Sequence, residues 1–278
     1  SNRSPAATTG LVGFKPTNGL VDPSGVHPTA PSLDVTGPIA ATVEDARIMV
    51  EALTGMALTG RASTGPHRRS SAGSPLSGVV LALCPGLHGS EVDPPIARGL
   101  ESWLGRLRGL GAAIVELPAE GVEAFVDAGL TILQYEFARH YRSLIEQAPE
   151  RVGDAARSFL DSSARIASAE FDAAQAVRER FRLAFLDRMR GVDALLVPTS
   201  PGFAPRLCDE STRVGNDWVG FGAAGGRFRR WANMLGMPAV AIPLDCGEAL
   251  PASIQLAARP GEDGPLLDLA SALTADLA

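Results

Sequence analysis

The first 38 residues, SNRSPAATTGLVGFKPTNGLVDPSGVHPTAPSLDVTGP, constrain this chain more than any other stretch. They are dense in glycine and proline and nearly empty of charge, too apolar for a surface loop and too interrupted for long helices. The composition predicts tight turns and short buried strands, held by a larger body. Gly10, Gly13, Gly19, Gly25 and Gly37 suit positive φ or close backbone approach. Pro5, Pro16, Pro23, Pro28, Pro31 and Pro38 fix the turns between them. Fixed backbone without regular structure is what a site requires, and the residue such a segment would position is Ser1.

The remaining 240 or so residues supply the body. A chain of 278 residues, 45% hydrophobic and 20% charged, buries a sizeable core as one large domain or two small ones. A net charge of −6 with no strongly basic region argues against nucleic acid as a partner. No apolar run is long enough for a membrane span and no signal peptide is visible. Cys84, Cys208 and Cys246 are widely spaced and odd in number, so packing roles in a reducing, cytoplasmic compartment are expected. His27, His67, His88 and His140 form no metal-ligand spacing, and no metal or cofactor is called for. The chain starts without methionine, as a processed product or a fragment of a longer reading frame, and the fragment is the expectation.

Periodicity predicts an α/β fold with a mixed sheet flanked by helices, in a single domain over residues 1–278. Thr42 and Asp45 form a capping box for a helix ending at Gly55, and residues 57–77 read as an exposed, mobile connection. Val79–Leu83, a helix from Asp93 to about Leu107, and Ala113–Val115 make a strand–helix–strand unit. Helices follow from about Val122 to Met189, broken near Pro149 and Arg165. Val192–Val197 reads as a buried strand, 202–217 as loop, and Phe228–Leu235 as a helix. Ala239–Leu244 and Ser253–Ala257 read as strands, and Pro265–Leu277 as the closing helix.

Several short motifs stand out. Ser1-Asn2-Arg3-Ser4-Pro5-Ala6, Gly10-Leu11-Val12-Gly13-Phe14-Lys15-Pro16-Thr17 and Ser32-Leu33-Asp34-Val35-Thr36-Gly37-Pro38 follow one another ahead of the Thr42 helix. Asp193-Ala194-Leu195-Leu196-Val197-Pro198-Thr199-Ser200-Pro201, Asn233-Met234-Leu235-Gly236-Met237-Pro238-Ala239 and Leu250-Pro251-Ala252-Ser253-Ile254-Gln255-Leu256 come later. In this order they resemble the amidase signature family. The departures are Thr9 where cysteine is common and Ser253 where the last motif usually has glycine.

That resemblance implies an amide hydrolase with a Ser–Ser–Lys triad. A lysine takes a proton from a serine held by a cis peptide bond, which activates a nucleophilic serine; this forms an acyl-enzyme that water or another acceptor releases. Backbone N–H groups hold the oxyanion. On this alignment Ser1 is the nucleophile, while the lysine and the cis serine lie upstream of the chain. Lys15, the sole lysine, falls in the Lys-Pro-Thr turn and not at the catalytic position. Arg3, Pro5, Gly10, Gly13, Lys15, Asp34 and Gly37 are carried over as structural residues of the motif. The implied partner is a small amide substrate; an A-type amidotransferase component with its partner subunits, a homodimer, and a non-catalytic scaffold member are the further readings.

Competing readings stay open at four places. Ser1 could instead use its own α-amine as base, as a mature N-terminus. Arg3 either touches substrate or ties the turn to backbone carbonyls. Thr199 and Ser200 sit just past a strand, where they either bind substrate or cap a turn. Gly220-Phe221-Gly222-Ala223-Ala224-Gly225 has the dinucleotide spacing with Asp245 beyond it, but the preceding residues read as loop, so no strand delivers the turn and a flexible loop near the acyl pocket is expected. Arg227-Phe228-Arg229-Arg230-Trp231 reads as a solvated helix face.

Overall fold

The computed structural model describes residues 2–59, 74–88 and 91–275. In chain order the elements are α1 (Arg3–Thr9), β1 (Val12–Lys15), β2 (Ile39–Ala40), α2 (Val43–Thr54), β3 (Val80–Leu83), α3 (Pro85–His88), α4 (Pro94–Gly109), β4 (Ala113–Glu116) and α5 (Val122–Gln147). A 3₁₀ turn (Pro149–Arg151) leads to α6 (Asp154–Ser163), α7 (Ser168–Arg188), β5 (Ala194–Pro198), β6 (Ser211–Val214), β7 (Asp217–Gly220), α8 (Phe221–Leu235), β8 (Ala239–Leu244), β9 (Ala252–Ala257) and α9 (Asp263–Ala275). No helix among the described residues is long and apolar enough to cross a membrane.

Seven strands form one mixed sheet in the order β2-β1-β8-β9-β5-β3-β4. β4, β3 and β5 run parallel; α4 joins β3 to β4 as the strand–helix–strand pattern predicts, and α5, α6 and α7 lie between β4 and β5. β9, β8, β1 and β2 continue the sheet antiparallel. Alternation along the strands sorts the core into two layers. One sheet face carries Phe14, Val240, Ile242, Ile254 and Leu256 against α2, α4 and α9. The other carries Ala82, Leu195, Val197, Ala239 and Ala257 against α5, α7 and α8. Thr42 caps α2 as expected, its Oγ1 accepting from Asp45 N at 3.0 Å.

Four expectations are corrected. The opening segment contains a helix, α1, where only turns and strands were expected. Pro5 falls in its first turn, where a missing N–H breaks no intrahelical bond, and Gly10, at φ 70°, ends it. Residues 202–217 are not all loop: β6 and β7 pair as a hairpin across Gly215-Asn216, with Gly215 at φ 61°, a turn that fits strand twist. Helix α8 begins at Phe221, seven residues before the expected start, so Gly220–Gly225 is a strand end and a helix start rather than a flexible loop. A strand does therefore precede the glycine motif, but β7 belongs to a two-stranded antiparallel ribbon, not a βαβ unit. Finally, Arg227–Trp231 is no solvated face, because Phe228, Arg229 and Trp231 are buried.

Two smaller points concern the connections and cysteines. Most of the 57–77 connection lies outside the described residues, and its described ends are anchored by buried Leu58 and Leu76. Cys84 is buried, but Cys208 is exposed and so does no packing.

Candidate functional site

The site is assembled on the sheet face shared by β1, β8 and β9. Gly13, Ala241 and Gln255 stand in one cross-strand row. The two small residues leave a trough, and α1 lies in it. A Cβ on Gly13 would come within 2.5 Å of Asn2 O and 2.6 Å of Ala6 Cβ, so the helix rests directly on that strand. Asn2 Nδ2 donates to Phe14 O at 3.0 Å, and Gly37 packs against the same carbonyl and carboxamide. Close contact of backbone with backbone thus fixes where α1 begins.

That geometry aims Arg3 inward, where it is fully enclosed. Its Nη1 donates to Gln255 Oε1, and its Nη2 to Asn233 Oδ1 at 2.7 Å and Arg229 O at 2.8 Å. Burial, with Arg229 close by, lowers its pKa to about 9. Asn233 relays the lock by donating to Leu33 O at 2.7 Å, the residue before Asp34. Asp34 Oδ2 in turn accepts from Thr29 N and Ala30 N and closes its own turn. Gln255 Nε2 donates to Phe228 O at 2.6 Å and to Pro198 O at 3.2 Å. One guanidinium therefore ties α1 to α8 and β9, and Asn233 extends the tie to the turn before β2.

Lys15 is likewise buried. Its Nζ donates to Pro16 O and Asn18 Oδ1, both at 2.8 Å. Burial pushes its pKa well below the ordinary value, the Arg3 charge adds to this, and Asp263 opposes it. The following Thr17 N donates to Asp263 Oδ1 at 2.8 Å at the start of α9, and Asn18 Nδ2 to Asn233 O at 2.9 Å. Lys15 sits inside the turn it belongs to by sequence.

Thr199 is fully buried. Its hydroxyl accepts from Ser253 Oγ at 2.6 Å, and its carbonyl from Arg229 Nη1 at 2.8 Å. Both atoms take part in structural bonds, in keeping with the turn-capping one of its two readings. Ser200 Oγ bonds Gly202 O at 2.9 Å within its own turn. Ser253, the residue that departs from its motif, has a definite role in holding Thr199. Ser1 lies outside the described residues. The structure thus brings Arg3, Pro5, Gly10, Gly13, Lys15 and Gly37 together around α1 and β1, with Asp34 one turn away. Asn233, Gln255 and Arg229 join them without having been singled out as site residues, although the first two stood within quoted motifs and Arg229 within the basic stretch read as a solvated helix face. A cavity of about 650 Å³ lined by Val12, Trp103, Arg106 and Leu244 opens on the opposite sheet face.

The amidase family model matches residues 1–267. The chain belongs to the amidase family. It is 30% identical over 303 aligned positions to the A-type component of glutamyl-tRNA(Gln) amidotransferase from Brucella ovis, covering 97% of this chain and 60% of that protein. An amidase of Pseudomonas putida is 27% identical over 89% of this chain and 54% of its own length. Among solved structures, an amidase superposes at TM-score 0.87 and 28% identity, covering 100% of this chain and 61% of that one. The corresponding A-type component of the Thermotoga maritima glutamyl-tRNA(Gln) amidotransferase superposes at 0.76 with 27% identity, over 98% and 59%. The chain therefore spans about 60% of the length of these relatives.

Proposed function

We propose that this chain is the nucleophile-bearing part of a serine amidase, a single α/β unit whose reaction starts at Ser1. The observation that carries this reading is the buried Arg3 lock. Three charge-assisted hydrogen bonds to α8 and β9 are spent on immobilising the residue two positions from Ser1, in a chain of the amidase family. Positioning a hydroxyl to within a fraction of an ångström is what nucleophilic attack demands, and rigid buried partners supply it.

In the proposed reaction Ser1 Oγ attacks the amide carbonyl carbon while its proton passes to a second serine and on to a lysine. Backbone N–H groups receive the oxyanion, the C–N bond breaks, and the released amine takes the proton. Water then cleaves the acyl ester. The second serine and the lysine belong to upstream sequence; the burial and bonding of Lys15 inside its turn support that assignment. Substitution Ser1→Ala in the complete protein tests the reading: turnover of a simple amide should vanish, and undiminished turnover would reject it.

A second reading, the A-type component of an amidotransferase, is favoured by the Brucella and Thermotoga relatives of that name. A different polypeptide that copurifies stoichiometrically with the complete protein would support it over a free-standing amidase.

A further inference from the structure

Strand β4 closes one end of the seven-stranded sheet, and among the described residues β3 is the one strand it pairs with. It is the longer of the sheet's two edges, four residues against the two of β2. Its sequence, Ala113-Ile114-Val115-Glu116, is apolar but for the last residue, and Ala113, Val115 and Glu116 are exposed. Edge strands are ordinarily protected from further pairing by lysine, proline, a bulge or a covering element. β4 contains no lysine or proline, and its register against β3 runs without a bulge.

The register also shows which backbone groups point outward. Ala113 N donates to Val79 O and Leu117 N to Leu83 O, both at 2.9 Å, so residues 113, 115 and 117 turn their backbone toward β3. Ile114 and Glu116, alternating with them, turn their N–H and C=O groups away from the sheet. In an antiparallel pairing, two such residues standing opposite one another exchange both hydrogen bonds. Setting Ile114 opposite Glu116 of a second copy, and Glu116 opposite its Ile114, satisfies all the outward groups of both strands. Val115, 39% exposed, then meets Val115 of the second copy on a twofold axis, the commonest closed symmetry of identical chains. That central pair is of the non-hydrogen-bonded kind, in which facing side chains stand closest.

Charge selects the same arrangement. Arg108, in the last turn of α4, is exposed and lies ahead of the strand, whereas Glu116 ends it. Neither has an ion-pair partner among the described residues, while Glu120, just beyond, is paired with Arg188. Antiparallel strands bring the head of each to the tail of the other, so each Arg108 approaches Glu116 of the other copy. A parallel partner would set like charge beside like.

We propose that β4 is a homodimer interface, at which two copies of this chain join their sheets edge to edge, antiparallel and centred on Val115. A strand from a different polypeptide, or from sequence upstream of Ser1, could use the same outward groups but would not reproduce the twofold axis.

Light scattering behind size exclusion gives the mass of the complete protein. Twice the chain mass is expected at micromolar concentration; a monomer, or a complex with a different polypeptide in place of a dimer, overturns the proposal. Glu116→Pro removes an outward N–H and leaves the ladder to β3 intact, and thermal melting verifies that it folds. It should weaken the dimer about tenfold or more, and so should Arg108→Glu, while Arg108→Glu combined with Glu116→Arg should restore it. A dimer that Glu116→Pro leaves intact, or no recovery in the charge exchange, contradicts the proposal. Cross-linking locates the axis independently. In a Cys208→Ser background, which removes the exposed thiol, Val115→Cys should form a disulfide-linked dimer under mild oxidation, because the facing Cα atoms of such a pair stand about 4.5 Å apart. Ala113→Cys, on the same face but roughly 14 Å from its own counterpart, should not. Equal cross-linking at both positions, or at 113 alone, overturns the proposal.

Discussion

At the residue scale the account turns on side chains that have no room to change. A methyl group placed on Gly13 would meet Asn2 O and Ala6 Cβ at under 3 Å, whereas one on Gly105, inside α4, would meet nothing within 4 Å. Gly13→Ala should therefore destabilise the fold by about 1–3 kcal/mol through overpacking. Gly105→Ala should stabilise it by roughly 0.5–1 kcal/mol, because a helix-interior alanine loses less entropy. Urea midpoints of the two variants, shifting in opposite directions, check the pair. Lys15 supplies a pH signature. Its folded pKa is held well below the ordinary 10.5, so between those two values the unfolded chain binds the additional proton and stability rises with pH. Arg3, lowered to about 9, acts with the same sign, so comparison with Lys15→Met isolates the lysine. The native protein should gain more stability than the variant between about pH 8 and pH 10.5; identical slopes in urea melts would remove Lys15 from the buried set.

At the element scale, α1 owes its existence to the sheet beneath it. Seven residues with a proline are too few to hold a helix alone, and the Gly13–Ala241 trough, its hydrogen bonds and Gly10 supply what local propensity lacks. That is why α1 was not legible in the sequence, while β3, α4, β4, β8 and β9, with clear apolar periods and caps, were. The early start of α8 escaped for a related reason. Gly220, Gly222, Gly225 and Gly226 weaken helix propensity, and only tertiary contact explains them, since two of the four make way for Arg229 and Arg230. Arg3, Asn233 and Gln255 each stood within a quoted motif, but that they meet one another and the Arg229 carbonyl in one network is visible only in three dimensions. Helix α2 carries a different message. Ile48, Met49 and Leu53, with Met56 just beyond, form an exposed apolar stripe. Such a stripe promotes self-association, so the isolated chain should be poorly soluble. Replacing Ile48 with Gln and Leu53 with Lys should raise the soluble fraction on expression without lowering the melting temperature; an unchanged fraction would absolve α2.

At the scale of the whole molecule, the sheet divides labour between its faces. One is packed with aliphatic side chains under α2, α4 and α9, and the other gathers Lys15, Ser253, Gln255, Arg3 and Arg229 under α1 and α8. The proposed chemistry belongs to the second face, with the base supplied by sequence upstream of Ser1. The isolated chain should accordingly show no turnover of a simple amide, whereas the complete protein should. The most direct test of the central claim is mass-spectrometric mapping of a fluorophosphonate probe on the complete protein. The account predicts one adduct, on Ser1, lost in Ser1→Ala; an adduct on any other serine, or labelling that survives the substitution, would contradict it.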